Sequence, residues 1–243
     1  MSKRILVFTA FAVAAAALFV RLGFWQIARL HERQALNAYI GSRIDSVPVP
    51  FFSLSRDSAV AHFRRVTVSG TPDFDHEFYM VDRSRSGSPG VYVLTPIRVP
   101  GHDTAVLVNR GWVYTPDAST VEPSRYHAPD STFEGYVDEF QPPVAVPPPE
   151  PQHLRTINYQ RIASGLPYPI ADTYVVALGA DTVISGVPMR LSTPALDEGP
   201  HLSYAIQWFA FALIALGGAA FVILKDREAR QAAARGEGPS SGA

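Results

Sequence analysis

Residues 202–224 read LSYAIQWFAFALIALGGAAFVIL, 23 consecutive positions without a charge, with Asp197 and Glu198 before them and Lys225, Asp226 and Arg227 after them. About 20 predominantly apolar residues suffice for a helix to cross a bilayer, and a buried helix of a soluble domain is seldom so long without a charge. A weaker counterpart stands at the other end of the chain. Residues 5–20 are uncharged, and beyond Arg21 the apolar character resumes through Leu22, Gly23, Phe24, Trp25 and Ile27. Two readings of 5–27 stay open: a retained transmembrane helix, or a secretory signal in which Lys3 and Arg4 form the basic start and the alanines at 14–17 a cleavage site. Arg21 costs roughly 2.5–3.5 kcal/mol at the bilayer centre but little near an end, where its stem can snorkel outward.

Composition agrees with a chain partly in lipid, since 47% of residues are hydrophobic and only 18% charged. Lys225, Arg227, Arg230 and Arg235 lie in the tail and Lys3 and Arg4 precede the first span, so the positive-inside rule places both termini in the cytoplasm. The expected organisation is a cytoplasmic N-terminus (1–4), transmembrane helix 1 (5–27), an extracytoplasmic domain (28–201), transmembrane helix 2 (202–224) and a basic cytoplasmic tail (225–243), disordered over 236–243. The sequence has no cysteine, which excludes disulfides, thiolate metal sites, covalently attached haem and cysteine-based redox or copper relay. A net charge of −1 offers no basic field for nucleic acid.

Residues 28–201 hold 14 basic and 19 acidic side chains and 20 of the 21 prolines, which argues against a helical domain. Short β-rich runs recur at 64–69, 78–81, 91–99, 105–109 followed by 111–114, 133–137 and 174–178. In the first, Val66 and Val68 alternate with Arg65, Thr67 and Ser69, as on a sheet with one dry face. Gly70-Thr71-Pro72, Gly87-Ser88-Pro89-Gly90 and Pro100-Gly101 supply turns. This spacing predicts an antiparallel β-barrel or sandwich-like domain. One short helix is expected at 159–164, with Asn158 as its N-cap and Gly165 as its stop. Residues 141–152, QPPVAVPPPEPQ, read as a polyproline-like connector.

No familiar catalytic pattern occurs: GxSxG, HExxH, a phosphate-binding loop, GxGxxG after a strand and SxxK are all missing, which points away from an enzyme. Histidines stand at 31, 62, 76, 102, 127, 153 and 201, none close enough to another in sequence for a local metal pair. Most read as solvated. His201 differs, because it opens the second span, and at 100° per residue His201, Tyr204 and Trp208 fall within about 60° of one another, with Gln207 bordering that face. Trp25 and Gln26 close the first span, so an antiparallel hairpin brings all six residues to one bilayer depth. An aromatic belt accounts for the indoles and the phenol. It accounts less well for an imidazole and two amides, which are costly at membrane depth unless wetted or paired. An imidazole there can serve as an axial haem ligand, although on the residues alone interfacial packing is favoured. In residues 106–114, VLVNRGWVY, a bulged strand with Trp112 in the core is preferred, while Arg110 could meet a carboxylate of a partner or of a haem propionate. Arg21, Trp25 and Arg29 share one helical stripe, with lipid head groups as the expected partners.

Leu22-Gly23-Phe24-Trp25-Gln26-Ile27-Ala28-Arg29, the Gly-Val-Tyr-Val-Leu-Thr-Pro run at 90–96, Val108-Asn109-Arg110-Gly111-Trp112 and His201-Leu202-Ser203-Tyr204-Ala205-Ile206-Gln207-Trp208-Phe209 together resemble the Surfeit locus protein 1 family, in order and spacing, over nearly the whole chain. Gly199-Pro200 departs from that family's pattern, where an Asn pair precedes the histidine, and a Gly-Gly-Pro element is reduced to Gly186-Val187-Pro188. The resemblance implies an assembly factor for haem–copper cytochrome c oxidase, with a two-helix transmembrane hairpin flanking an extracytoplasmic domain. It sits in the bacterial cytoplasmic membrane, or in the mitochondrial inner membrane of a eukaryote. Its expected partners are the catalytic subunit of the oxidase, haem a synthase and the lipid bilayer. Haem a is then a transient cofactor, with His201 as the iron ligand, Trp25, Tyr204 and Trp208 as walls, Gln207 beside them, and Arg110 or Arg29 as propionate contacts. The alternative is a cofactor-free scaffold for the immature oxidase subunit. Small residues at 10 and 14, and at 215 and 219, are expected to let the helices pack closely.

Overall fold

The computed structural model describes residues 2–55, 57–127, 131–143, 150–180, 182 and 184–236. In chain order its elements are α1 (Lys3–Ile44), β1 (Val49–Pro50), α2 (Ser58–Ala61), β2 (Arg65–Ser69), β3 (Thr71–Pro72), β4 (Phe78–Arg85), β5 (Ser88–Arg98), β6 (Val106–Tyr114), β7 (Thr132–Glu139), β8 (His153–Leu154), α3 (Tyr159–Ala163), β9 (Thr173–Ala177) and α4 (His201–Ala234), with single 3₁₀ turns at 51–53, 74–76 and 123–126. The chain divides into two units, Met1–Tyr39 with Leu196–Ala243, and Ile40–Ala195.

The first unit is a pair of helices, each long and apolar enough to cross a membrane. Both outrun the expected spans. α1 continues through residues 28–44, which lack proline, and α4 continues ten residues past 224. Ala12, Ala16 and Leu30 on α1 and Ala205, Ala212 and Ala219 on α4 are buried, the last three at a seven-residue spacing typical of a helix–helix seam. Gly23 marks a close approach, because a Cβ there would lie 2.7 Å from the Phe209 ring. The expected small-residue seam is thus shifted: Ala10 and Ala14 face outward, Ala215 is half-buried, and only Ala219 lies in the seam. Two residues along a helix turn a side chain by about 200°, which is why alanine spacing alone could not choose between 10/14 and 12/16. Leu6, Phe8, Phe11, Leu213, Ile214 and Phe221 remain exposed, a surface suited to lipid rather than water.

The second unit is a nine-stranded sheet in the order β1-β2-β7-β9-β6-β5-β4-β8, with β3 pairing β5. It is a single open, mixed sheet, not the expected antiparallel barrel or sandwich. β1·β2, β4·β8 and β6·β9 are parallel, and the pairing path ends at β1 and β8 without closing. The cause lies in the connections. A long segment through α3 carries the chain from β7 to β9, which inserts between β7 and β6, parallel to β6. Both faces are covered, since Tyr174 and Val176 of β9 join a core with Ile40, Ile44 and Ile162, whereas Val175 and Ala177 join another with Ala61, Val66 and Phe133. The central strands β6 and β9 are therefore buried along almost their whole length, whereas β2 keeps the wet–dry alternation.

Two expected turns shift: of 87–90 only Gly87 turns, together with Ser86, both with positive φ, while 88–90 pair with β4 as part of β5, and Thr71-Pro72 forms β3. The runs at 105–109 and 111–114 form one strand, β6, with Arg110 as a bulge: Val93 faces Gly111, Leu94 faces Asn109, and Trp112 is buried. Gly111 has φ +133°, and a Cβ there would meet the Met189 carbonyl at 2.2 Å. The Asn158 side chain caps α3 by accepting from Arg161 N at 3.1 Å. Residues 144–149 of the connector and 237–243 of the tail lie outside the described residues.

Candidate functional site

His201 is the first residue of α4, and Pro200 precedes it as the cap, so its ring stands at the very end of the helix. Its Nδ1 lies 2.9 Å from Gln26 Oε1 on α1. Two further α1 side chains fasten the approach to α4: Arg33 Nε donates to the Asp197 carbonyl at 2.9 Å, and Gln34 Nε2 donates to Glu198 Oε2 at 3.1 Å. Residues 26 and 33 are seven apart and therefore share one helical stripe. The Gly199 amide donates to Asp197 Oδ1 at 2.9 Å, which tightens the turn.

The aromatic residues named from sequence surround this point unevenly. Trp208 stacks on Phe19, with centroids 5.7 Å apart, and packs edge-on against Phe211. Phe24 meets Phe209 at 5.4 Å. Trp25 is half-exposed, with the Arg29 guanidinium 5.7 Å from its centroid while Arg29 also pairs with Glu32 at 2.8 Å. Tyr204 is half-exposed and Gln207 exposed. His201 and Gln26 are brought together directly; Trp208 joins a neighbouring apolar cluster; Trp25, Tyr204 and Gln207 offer open surface.

Arg110 belongs to the other unit. It is fully buried there, and the carboxylate it meets is Glu77, at 3.1 Å, while its second amino group donates to the Tyr126 carbonyl at 2.8 Å. The hydroxyls of Tyr79, at 3.0 Å, and Thr95 also donate to Glu77, and His127 Nε2 lies 3.3 Å from it. Burial, with the Glu77 charge beside it, pushes the Tyr79 hydroxyl far above the usual phenol range. The bulge that makes Arg110 the extra residue of β6 was legible, but nothing in the run around Glu77 signals Thr95, Arg110 and His127, which lie 18 to 50 residues away. The histidines are also less solvated than expected: His62, His76, His127 and His153 each face a carboxylate within 2.9–3.3 Å, and His153 is buried.

Residues 13–213 match the SURF1 family. An uncharacterised SURF1-like protein of Mycobacterium tuberculosis strain H37Rv is 30% identical over 230 residues, covering 91% of this chain and 83% of its own length. A SURF1-like protein of Rickettsia felis is 23% identical over 200 residues, with 81% and 88% covered. Human Surfeit locus protein 1 is 26% identical over 212 residues, with 77% and 68% covered.

Proposed function

This chain belongs to the SURF1 family, and from that membership we propose that it is a non-enzymatic assembly factor for haem–copper cytochrome c oxidase, helping haem a to enter or settle in the catalytic subunit. The observation that carries the reading is the imidazole of His201, held by Gln26 where two membrane-length helices meet. Haem a, when bound, would supply an iron able to take a nitrogen from the protein. The residues fit that demand. Among the described residues no three His, Cys, Asp or Glu side chains gather to hold a bare metal ion, and a lone imidazole suits an iron whose other ligands belong to a macrocycle. His201 would give the nitrogen, Trp25, Tyr204 and Trp208 would shield the macrocycle from water, Gln207 would lend an amide, and Arg29 would meet a propionate. Arg110, paired with Glu77, keeps a role inside the β unit.

α1 and α4 hold the protein in the bacterial cytoplasmic membrane or the mitochondrial inner membrane, with both termini on the cytoplasmic or matrix side and the β unit on the other. The side-chain packing of α1 on α4 supports a retained first span over a cleaved signal. Haem a synthase stands upstream as the source of the group. A cofactor-free scaffold is the second reading, favoured by the exposure of Trp25, Tyr204 and Gln207, a face that a transmembrane helix of the oxidase could cover. The test is the oxidase made without this chain. The expected result is a catalytic subunit deficient in active-site haem while haem a synthesis stays normal; full haem occupancy would contradict the function.

A further inference from the structure

We propose that Gln26 is a positioning residue that fixes the tautomer of His201, keeping the proton on Nδ1 and leaving Nε2 as a bare lone-pair donor. A carboxamide oxygen can only accept, so a ring nitrogen 2.9 Å from Gln26 Oε1 must carry the hydrogen. A neutral imidazole has one such hydrogen, so Nε2 has none. This reverses the preference of an unconstrained histidine ring, whose proton favours Nε2.

Two further features act on the same ring. Gly199 lies against its Nε2 edge: a Cβ at 199 would sit 3.5 Å from both Nε2 and Cδ2, and the φ of +72° suits glycine, so no side chain covers that edge from this position. The turn carrying Gly199 is tied to α1 through Arg33 and Gln34, which limits how far ring and turn can move apart. α1 thus sets both the protonation pattern of the ring and the approach to its open nitrogen. An imidazole in this form can bind iron through Nε2 without releasing a proton, because the single N–H points to Gln26 throughout. Only that last step rests on the reading of His201 as a haem a ligand.

The experiment is ¹⁵N NMR of the full chain in lipid nanodiscs, labelled on histidine nitrogens at a pH where the ring is neutral, with the His201 signals identified by their loss in His201→Ala. The wild type is expected to show a protonated Nδ1 and an unprotonated Nε2. In Gln26→Ala the proton moves largely to Nε2, and Gln26→Glu, which keeps an acceptor oxygen at the same reach, restores the wild-type pattern. Added haem a is then retained roughly 10–100-fold less tightly by Gln26→Ala than by the wild type, the usual effect of removing a partner that orients a ligating histidine. A wild-type ring protonated on Nε2, or a pattern unchanged in Gln26→Ala, overturns the proposal, and the wild-type spectrum alone suffices if the alanine variant does not fold. A wild type with protonated Nδ1 that takes up no haem a upholds the tautomer and overturns the ligation reading.

Discussion

The two units treat their polar groups in opposite ways. In the β unit Glu77 and Arg110 lie 1% and 0% exposed, and the carboxylate is surrounded by a guanidinium, two hydroxyls and an imidazole. In the helix pair the ring of His201 is only half-buried, has Gln26 as its one side-chain hydrogen-bond partner among the described residues, and is followed by residues left open to their surroundings. A buried charge without full compensation is strongly unfavourable, so the first cluster has little capacity left for a ligand. The second is held from one side only. The difference separates a group that maintains a fold from one that can accept something, although both centre on residues that look equally functional in sequence.

The largest expected effect comes from unbalancing the buried cluster around Glu77. Arg110→Met leaves Glu77 buried without its cation and should destabilise the β unit by about 3–5 kcal/mol, read as a shift in the denaturant midpoint of the full chain in detergent. A loss below about 1 kcal/mol, the range of a solvated ion pair, would break the contrast between the units. Gly23→Val comes next. Its side chain would enter the Phe209 ring, and overpacking of this kind costs about 1–3 kcal/mol. The helix pair should loosen, seen as faster proteolysis of its outer end, and Phe209→Ala in the same chain should restore it. No loosening would mean that the helices do not meet at Gly23.

The smallest effect is one of pH, and it is expected in the β unit. Asp73 is pushed up by burial but drawn down further by the Tyr168 hydroxyl and by His76, and its net position lies below the ordinary 3.8. Asp117 is held at about 2 by the Thr120 hydroxyl and neighbouring backbone amides. Both carboxyls are more acidic folded than unfolded, so their contribution is complete above about 4 and is lost as pH falls through the folded values. With Trp25→Phe and Trp208→Phe leaving Trp112 as the reporter, the denaturant midpoint should fall steadily between pH 4 and pH 2. A flat midpoint across that window would show that these hydrogen bonds are not made.

Helices, caps and bulges were legible because their signals are local. The uncharged run at 202–224 needs no tertiary information, and neither does Asn158 before α3 or the glycine that follows Arg110. Strand order was not legible. Period-two alternation reports which face of a strand is dry, not which strand lies beside it, so the insertion of β9 between β7 and β6 left no trace in the pattern. At the candidate site the common level of Gln26 and His201 followed from helix lengths, but their hydrogen bond did not. Trp208 shares a helical face with His201 and Tyr204, but its stacking on Phe19 is a contact that periodicity within α4 cannot reveal. Arg110 was read as able to meet a carboxylate of a partner or of a haem propionate through its planar fork, and the fold shows that it meets the carboxylate of Glu77.

The central claim is that the imidazole at the start of α4 is a polar group able to take a ligand. Its most direct test is the absorbance spectrum of full-length wild type and His201→Ala, purified side by side from cells that make haem a. The wild type should carry haem a with the Soret and α bands of a histidine-ligated iron, and the variant should carry little or none. Equal haem in both would contradict the claim.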